Sequence, residues 1–338
     1  MKENIVLAVA GATGVVGEAM LDLLAQRRFP AASVHALASA RSVDRRVSYG
    51  NRMLDVQNLA TFDFAQVDIA LFSAGASVSE EHASRAAAQG CVVIDNTSCF
   101  RYDDDVPLIV PEVNPAAIEQ YRQRNIIANP NCSTIQLLVA LKPIYDKAGI
   151  ERINVATYQA VSGAGRSAVE QLASQTARLM NGRPLDDNEL QIAFNVRPHI
   201  DSFLDNGYTR EEMKIVWETR KILDDESIAV NPTAVRVPVF YGHSEAVHIE
   251  TRHKLSAAEA RRVLEQAPGV SVVDEHAAGG YPMPVSHGTG SDPVYVGRIR
   301  EDISHERGLD LWVVSDNVRK GAALNSVQIA EILVKDHL

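Results

Sequence analysis

No apolar run in this 338-residue chain approaches the roughly 20 residues a membrane span needs. Cysteine is scarce. Cys91, Cys99 and Cys132 are odd in number and irregularly spaced, which excludes a disulfide framework and a zinc site, and no bound metal is expected. Met1-Lys2-Glu3-Asn4 leads straight into a strand-like run, so no signal peptide is expected. Free thiols in a reducing compartment follow, which places the protein in the cytoplasm. Positive charge is in deficit, with 33 Lys and Arg against 43 Asp and Glu and a formal net charge of -10. That balance argues against a nucleic-acid surface, which needs a basic face. It leaves room for a small anionic substrate held by a few local Arg and Lys. Internal repeats and low-complexity segments are missing too. With 46% hydrophobic and 22% charged residues the composition is that of an ordinary globular protein, and the length suits two domains.

The first third alternates strand and helix. Apolar runs at 5–10, 34–38, 68–72 and 91–94 read as strands buried on both faces, and 16–26 and 79–89 read as helices. This alternation predicts a Rossmann-type, doubly wound parallel sheet. A short strand at 126–128 precedes Asn129-Pro130-Asn131-Cys132-Ser133-Thr134 and a helix over 133–147, which Ser133 or Thr134 could cap. The second half reads differently. Alternating or β-branched runs at 153–159, 235–241, 246–252, 270–274, 294–300 and 309–315 predict an α+β domain with a mixed, mostly antiparallel sheet covered on one face. Helical patterns at 167–180 and 256–266 flank it, and a last helix spans 324–335.

Ala10-Gly11-Ala12-Thr13-Gly14-Val15-Val16-Gly17 lies between a strand and a helix. Gly11 permits the tight turn, Gly14 lets backbone N–H groups approach a pyrophosphate, and Gly17 lets the helix pack close. A structural βα turn is the bland alternative. NAD binders usually end the second strand with an acid that holds the ribose 2′-hydroxyl. Here that strand ends Ala38-Ser39-Ala40-Arg41-Ser42, with no acid. Arg41 and the hydroxyls suit a 2′-phosphate, which favours NADP over NAD, unless Arg41 is simply a solvated charge.

Cys132 falls at a strand-to-helix junction, where exposed N–H groups and the helix dipole favour a thiolate. The same N–H groups, with the Asn131 side chain, could stabilise an oxyanion. A small buried hydrophobe is the usual role of a free cysteine, and it fits Cys91 better, whereas Cys99, two residues before Arg101, is ambiguous. A thiol needs a base, and His243 stands just past a predicted strand, although it is one of ten histidines. Arg101, Lys214 and Arg236 are candidate anion holders. Arg101 follows Asp95-Asn96-Thr97-Ser98-Cys99-Phe100 at the C-terminal end of a parallel strand, where such sheets bind ligands. Lys214 sits in a charged helix-like run over 209–220, and spacing alone does not select it.

Seven motifs in order resemble the aspartate-β-semialdehyde dehydrogenase family over essentially the whole chain. They are the glycine loop; Asn96-Thr97-Ser98 to Arg101; Asn129-Pro130-Asn131-Cys132-Ser133-Thr134; Gln159-Ala160-Val161-Ser162-Gly163-Ala164-Gly165; Glu211-Glu212-Met213-Lys214; Arg236 to His243-Ser244-Glu245; and Val314-Ser315-Asp316-Asn317. The resemblance implies Cys132 as acyl-accepting nucleophile, His243 as general acid/base and Gln159 as the residue that orients the substrate. It implies Arg236 as the carboxylate clamp, and Arg101 and Lys214 as phosphate holders with Glu211 tuning them. Ser162, Gly163 and Asn317 would touch the nicotinamide side, and Gly11, Thr13 to Gly17 (with Val15 and Val16), Arg41 and Ser42 the nucleotide side. It implies a nucleotide domain over 1–130 and 318–338 and a catalytic and dimerisation domain over 131–317. The implied reaction is NADPH-dependent reductive dephosphorylation of L-aspartyl 4-phosphate to L-aspartate 4-semialdehyde, by a homodimer, in the biosynthesis of lysine, threonine, methionine, isoleucine and diaminopimelate. The rival enzymes are other acyl-phosphate reductases, such as N-acetyl-γ-glutamyl-phosphate reductase or a glyceraldehyde-phosphate dehydrogenase relative. A non-catalytic NADP-binding sensor would need none of Cys132, His243 and Arg236. The Gly-, Pro- and His-rich loop at 272–291 has no role derivable from sequence.

Overall fold

The structure, a computed structural model, describes residues 4–338. It divides into two compact units. One comprises the chain up to Asn131 together with Ala322–Leu338, and the other is Cys132–Gly321.

The first unit contains β1 (Ile5–Ala10), α1 (Val15–Gln26), β2 (Ala31–Ala38), β3 (Arg46–Tyr49), β4 (Arg52–Asn58), β5 (Ile69–Phe72), α2 (Ala76–Ala88), β6 (Val92–Asp95) and β7 (Ile126–Ala128). Its sheet runs β3-β4-β2-β1-β5-β6-β7. Every neighbouring pair is parallel except β3–β4, which is antiparallel. The chain winds outward from β1 in one direction through β2 and in the other through β5, so the strand order reverses at β1. The glycine loop leaves the C-terminal end of that strand, the crevice where open α/β sheets take ligands. Ile5, Leu7 and Val9 pack with Met20, Leu21 and Leu24 of α1 in the unit's core. The β3–β4 hairpin was not expected. Its strands are short and carry charges such as Arg46, Arg52 and Asp55, which suits an exposed sheet edge and blurs the apolar alternation.

The second unit contains α3 (Cys132–Ala148), β8 (Ile150–Gln159), α4 (Arg166–Met180), α5 (Arg210–Leu223), β9 (Ala229–Arg236), β10 (His243–Thr251), α6 (Ala257–Glu265), β11 (Val270–Val272), β12 (Val294–Glu301) and β13 (Gly308–Ser315). The sheet order is β11-β12-β13-β10-β8-β9. The three central pairings are antiparallel and the two outer ones, β8–β9 and β11–β12, are parallel. Side chains alternate along β8 and β10. Ile153, Val155 and Thr157 are buried on one face while Asn154, Ala156 and Tyr158 are half-exposed on the other. Ala246, His248, Asp310 and Trp312 continue that half-exposed face.

Three expectations need correction. The strand expected over 235–241 is β9, which ends at Arg236. Pro238 has no N–H for a ladder, and residues 237–242 form a turn instead. His243 therefore opens β10 rather than following a strand. Helix α3 begins on Cys132 itself, so Ser133 and Thr134 lie inside it, fully buried, and neither is its cap.

The chain returns to the first unit through α7 (Leu324–Ile332). Asn325 anchors it. Its amide donates to Ile109 O at 2.9 Å and to Asn129 Oδ1 at 2.8 Å, and the Asn129 amide donates to Asn96 Oδ1 at 2.6 Å. This chain of amides ties the last helix to the loops after β6 and β7. Asn325→Ala should orphan two buried acceptors and cost about 1–3 kcal/mol. A urea titration checks this, and an unchanged midpoint would contradict it.

Candidate active site

Four strand ends of the second unit meet at one end of its sheet. Gln159 ends β8 and pairs in register with Arg236, which ends the parallel strand β9. Ser244, beside His243 at the start of antiparallel β10, pairs with Tyr158 next to Gln159. His243 faces Ser315, the last residue of β13, with Asn317 just beyond. Gln159, Arg236, His243 and Asn317, far apart in sequence, thus converge because of strand direction and register.

Cys132 Sγ stands 3.3 Å from His243 Nε2, at the first turn of α3. The Ala160 N–H donates to His243 Nδ1 at 3.0 Å. A ring nitrogen that accepts cannot also carry the proton, so the neutral imidazole has its proton on Nε2, toward the sulfur. Burial holds His243 well below its ordinary pKa, and the Arg236 cation pushes the same way, while a Gly242 backbone contact favours the charged ring and is outweighed. The carbonyl of the same Ala160 residue accepts from Arg236 Nη1 at 2.7 Å. One residue's backbone therefore orients both the imidazole and the guanidinium. Burial lowers the Arg236 pKa, whereas Glu211 and Cys132 support its charge. A methyl group built on Gly163 would stand 3.5 Å from both Arg236 Nη1 and His243 Nε2, so this glycine lies directly against the pair.

The capping box of α5, Thr209 with Glu212, fixes the helix start. Glu211 lies in that first turn and shares a face with Lys214, three residues on. Gln159 Nε2 donates to Glu211 Oε1 at 3.2 Å, and Lys214 Nζ donates to Glu211 Oε2 at 2.9 Å and to Asp201 Oδ2 at 2.8 Å. Burial disfavours the Lys214 charge, but the two carboxylates outweigh it and its pKa is raised. Asp201 was not foreseen, because nothing in its local sequence sets it apart from other loop acids.

Asn317 Oδ1 accepts the Gly242 N–H at 2.9 Å, and the Asn317 amide donates to Ser162 Oγ at 2.9 Å. Both residues thus brace the turn that delivers His243. The 272–291 loop has a role there as well. A side chain at Gly242, whose φ is 89°, would meet Pro284 O at 2.7 Å, and Thr289 Oγ1 donates to Tyr241 O at 3.2 Å.

The remaining candidates lie in the first unit. Arg101 is buried, and its Nε and Nη2 donate to Thr97 O at 2.9 Å and Asn96 O at 3.1 Å. Buried Asp95 organises that loop by accepting from Ser79, and from the Thr97 N–H and hydroxyl. Asn131 is buried at the end of the unit. Gly11, with φ at 84°, has Ser73 O only 2.4 Å from where a Cβ would stand, and Gly17 has Gly11 O at 2.2 Å. Neither position admits a side chain. Gly14 precedes α1 and gives it no side-chain cap, an arrangement that suits a phosphate at the start of the helix. Thr13, Val15 and Val16 line the same turn and first helical residues, with Thr13 half-exposed. Arg41 and Ser42 lie in a short turn after β2, where Arg41 is exposed. These residues fit a dinucleotide phosphate. The other thiols are unsuited to chemistry: burial raises Cys91, and it pushes Cys99 up to about 11.

An oxidoreductase acting on an aldehyde group is the class that this fold and this thiol define. The family description "Semialdehyde dehydrogenase, NAD binding domain" matches residues 6–121, and "Semialdehyde dehydrogenase, dimerisation domain" matches 141–320. Aspartate-semialdehyde dehydrogenase of Legionella pneumophila is 59% identical, over 100% of this chain and 98% of its own length. A solved structure described as aspartate semialdehyde dehydrogenase II complexed with ASA, from Vibrio cholerae, superposes with a TM-score of 0.97 at 57% identity, covering 100% of both chains. The Candida albicans enzyme, solved with NADP, has a TM-score of 0.76 at 26% identity and covers 98% of each chain. The chain belongs to the aspartate-semialdehyde dehydrogenase family. Among the described residues no helix is long and apolar enough to cross a membrane, and no acidic, His or Cys cluster could hold a metal.

Gly321 is a site residue that sequence reading missed. A methyl group there would stand 2.7 Å from Cys132 Cβ. It follows the Asn317 motif, but only the fold reveals what it touches. Gly321→Ala should push Cys132 off His243 and lower kcat by on the order of 10²-fold, with nucleotide affinity kept. Steady-state kinetics checks this, and unchanged kcat would show that the helix start yields freely.

Proposed function

We propose that the protein reduces L-aspartyl 4-phosphate to L-aspartate 4-semialdehyde and phosphate through a thioester on Cys132, with NADPH as reductant. The observation that carries this reading is the 3.3 Å Cys132–His243 contact at a helix N-terminus, with Arg236 held against the same histidine. The unit comprising the chain up to Asn131 and Ala322–Leu338 serves as the nucleotide domain, and Cys132–Gly321 as the catalytic and dimerisation domain. Gly11 to Gly17 would hold the pyrophosphate, and Arg41 and Ser42 the 2′-phosphate that distinguishes NADP. When bound, NADPH supplies the hydride.

The thiolate of Cys132 attacks the 4-acyl carbon. Its charge is favoured by the first N–H groups of α3 and by the proton on His243 Nε2. The Asn131 amide and the helix N–H groups stabilise the oxyanion. Phosphate leaves with the electron pair of the broken C–O bond and takes one proton from solvent, with Arg101 and Lys214 as its proposed holders. The hydride that bound NADPH would supply to the thioester carbon would return negative charge to the acyl oxygen. His243 Nε2–H would hydrogen-bond that oxygen. The C=O re-forms as the C–S bond breaks, the bonding pair stays on sulfur, and the same N–H then hydrogen-bonds the released thiolate. The neutral ring thus serves as a hydrogen-bond donor and gives up no proton. Arg236 clamps the substrate carboxylate, and Gln159, fixed by Glu211, orients the acyl group. Two easier steps thereby replace one difficult step. Ser162, Gly163 and Asn317 stand beside the histidine and would bound the nicotinamide side.

A second copy of the chain is the proposed occupant of the half-exposed sheet face around Ala246, His248 and Trp312, since the matching family domain is a dimerisation domain. We place the enzyme in the cytoplasm, and we infer no nucleic-acid partner from its acidic balance and no membrane partner from its lack of a long apolar run. Trp312→Arg should shift it to monomer in light scattering, and a persistent dimer would move the interface elsewhere.

The function is tested by an NADP-linked assay with aspartate semialdehyde and phosphate, each component omitted in turn. Cys132→Ala should abolish turnover with NADP binding kept, and steady turnover would sink the thioester. Arg236→Leu should raise substrate KM far more than NADP Kd, whereas equal loss would make Arg236 structural.

A further inference from the structure

The motif ending His243-Ser244-Glu245 carries a group that the mechanism leaves unused. Glu245 is fully buried on β10, with Thr157 of β8 and Val313 of β13 as its register partners. Two residues from His243, it points to the same face of the sheet. Gln136 is fully buried on α3, four residues from Cys132 and therefore on the same side of that helix. Gln136 lies close enough to act on the Glu245 carboxyl as a hydrogen-bond partner. Yet neither carboxyl oxygen nor either Gln136 amide atom closes a hydrogen bond of standard geometry in this structure. Four buried polar atoms without partners are costly unless they satisfy one another. A carboxylic acid and a primary amide can do so in full, because the acid O–H donates to the amide oxygen and the amide N–H donates to the acid carbonyl. Burial favours that protonated form of Glu245.

The two side chains sit on the same helix and the same strand as Cys132 and His243, four residues on along α3 and two along β10. We propose that Gln136 and Glu245 form a buried amide–carboxylic acid pair that sets the spacing of α3 against β10 and so positions Cys132 on His243. Both are positioning residues, since neither touches the reacting atoms. The proposal rests on the reading of Cys132 and His243 as the chemical pair.

The test uses the full-length enzyme with Glu245→Leu, Gln136→Leu and Glu245→Gln. The readouts are kcat, KM, thermal melting and the pH profile of Cys132 alkylation by iodoacetamide, followed by mass spectrometry. Glu245→Leu and Gln136→Leu should each lower kcat by about tenfold or more, as small misplacements do, with KM within about twofold and the alkylation profile shifted. Glu245→Gln should recover most of kcat and the original profile, because a second amide can still pair with Gln136. Apolar variants that melt earlier but keep kcat and the profile would overturn the proposal by making the pair merely structural. Glu245→Gln as impaired as Glu245→Leu would overturn it too. Should neither apolar variant fold, Glu245→Gln decides: activity kept supports the pair, and a loss of tenfold or more overturns it. Alkylation of Cys132 in the unaltered enzyme must abolish turnover, and if it does not, the nucleophile assignment fails independently of this pair.

Discussion

The backbone of Ala160 is the constraint on which the site depends. Its N–H fixes His243 Nδ1 as an acceptor and its carbonyl fixes Arg236 Nη1. One stretch of chain therefore sets the direction of the imidazole N–H and of the guanidinium. Because Nδ1 is committed, protonating the ring would set two donors against each other, in the same sense as the burial and the Arg236 charge that lower its pKa. The sulfur meets a neutral donor, which suits the nucleophile proposed above, since that role needs an anion that is later released as one.

Everything around Ala160 keeps that arrangement in place. Strand register brings Gln159 beside Arg236. The Gly242 turn, held by Asn317 and covered by Pro284, delivers His243 to the start of β10. Gly321 leaves room for the helix that begins on Cys132. Glu211 accepts from both Gln159 and Lys214, so one carboxylate holds the amide and the ammonium at this end of α5. Such preorganisation means that little has to move when charge develops on the substrate.

Much of this was legible in the sequence, unevenly so. The parallel sheet announced itself through apolar runs and the glycine loop, since strands buried on both faces leave a continuous signal. The charged β3–β4 edge hairpin did not, because exposed strands lose that signal. Cys132 could be picked out from its strand–helix junction. His243, Arg236 and Lys214 could not be selected by spacing, since their proximity is made by sheet register between distant segments, and only the ordered motifs pointed to them. Ala160 was beyond reach for another reason: it acts through its peptide groups, which every residue has. Gly321 and Asp201 likewise mean nothing until the fold shows what they touch.

The protonation of His243 tests the account most directly. Nitrogen-15 NMR of the imidazole at neutral pH reads which ring nitrogen carries the proton. The structure predicts a neutral ring protonated at Nε2, with Nδ1 bare and accepting from Ala160. A ring protonated at Nδ1 alone would contradict it and leave Nε2 as an acceptor toward Cys132, and a doubly protonated ring would contradict the neutral state.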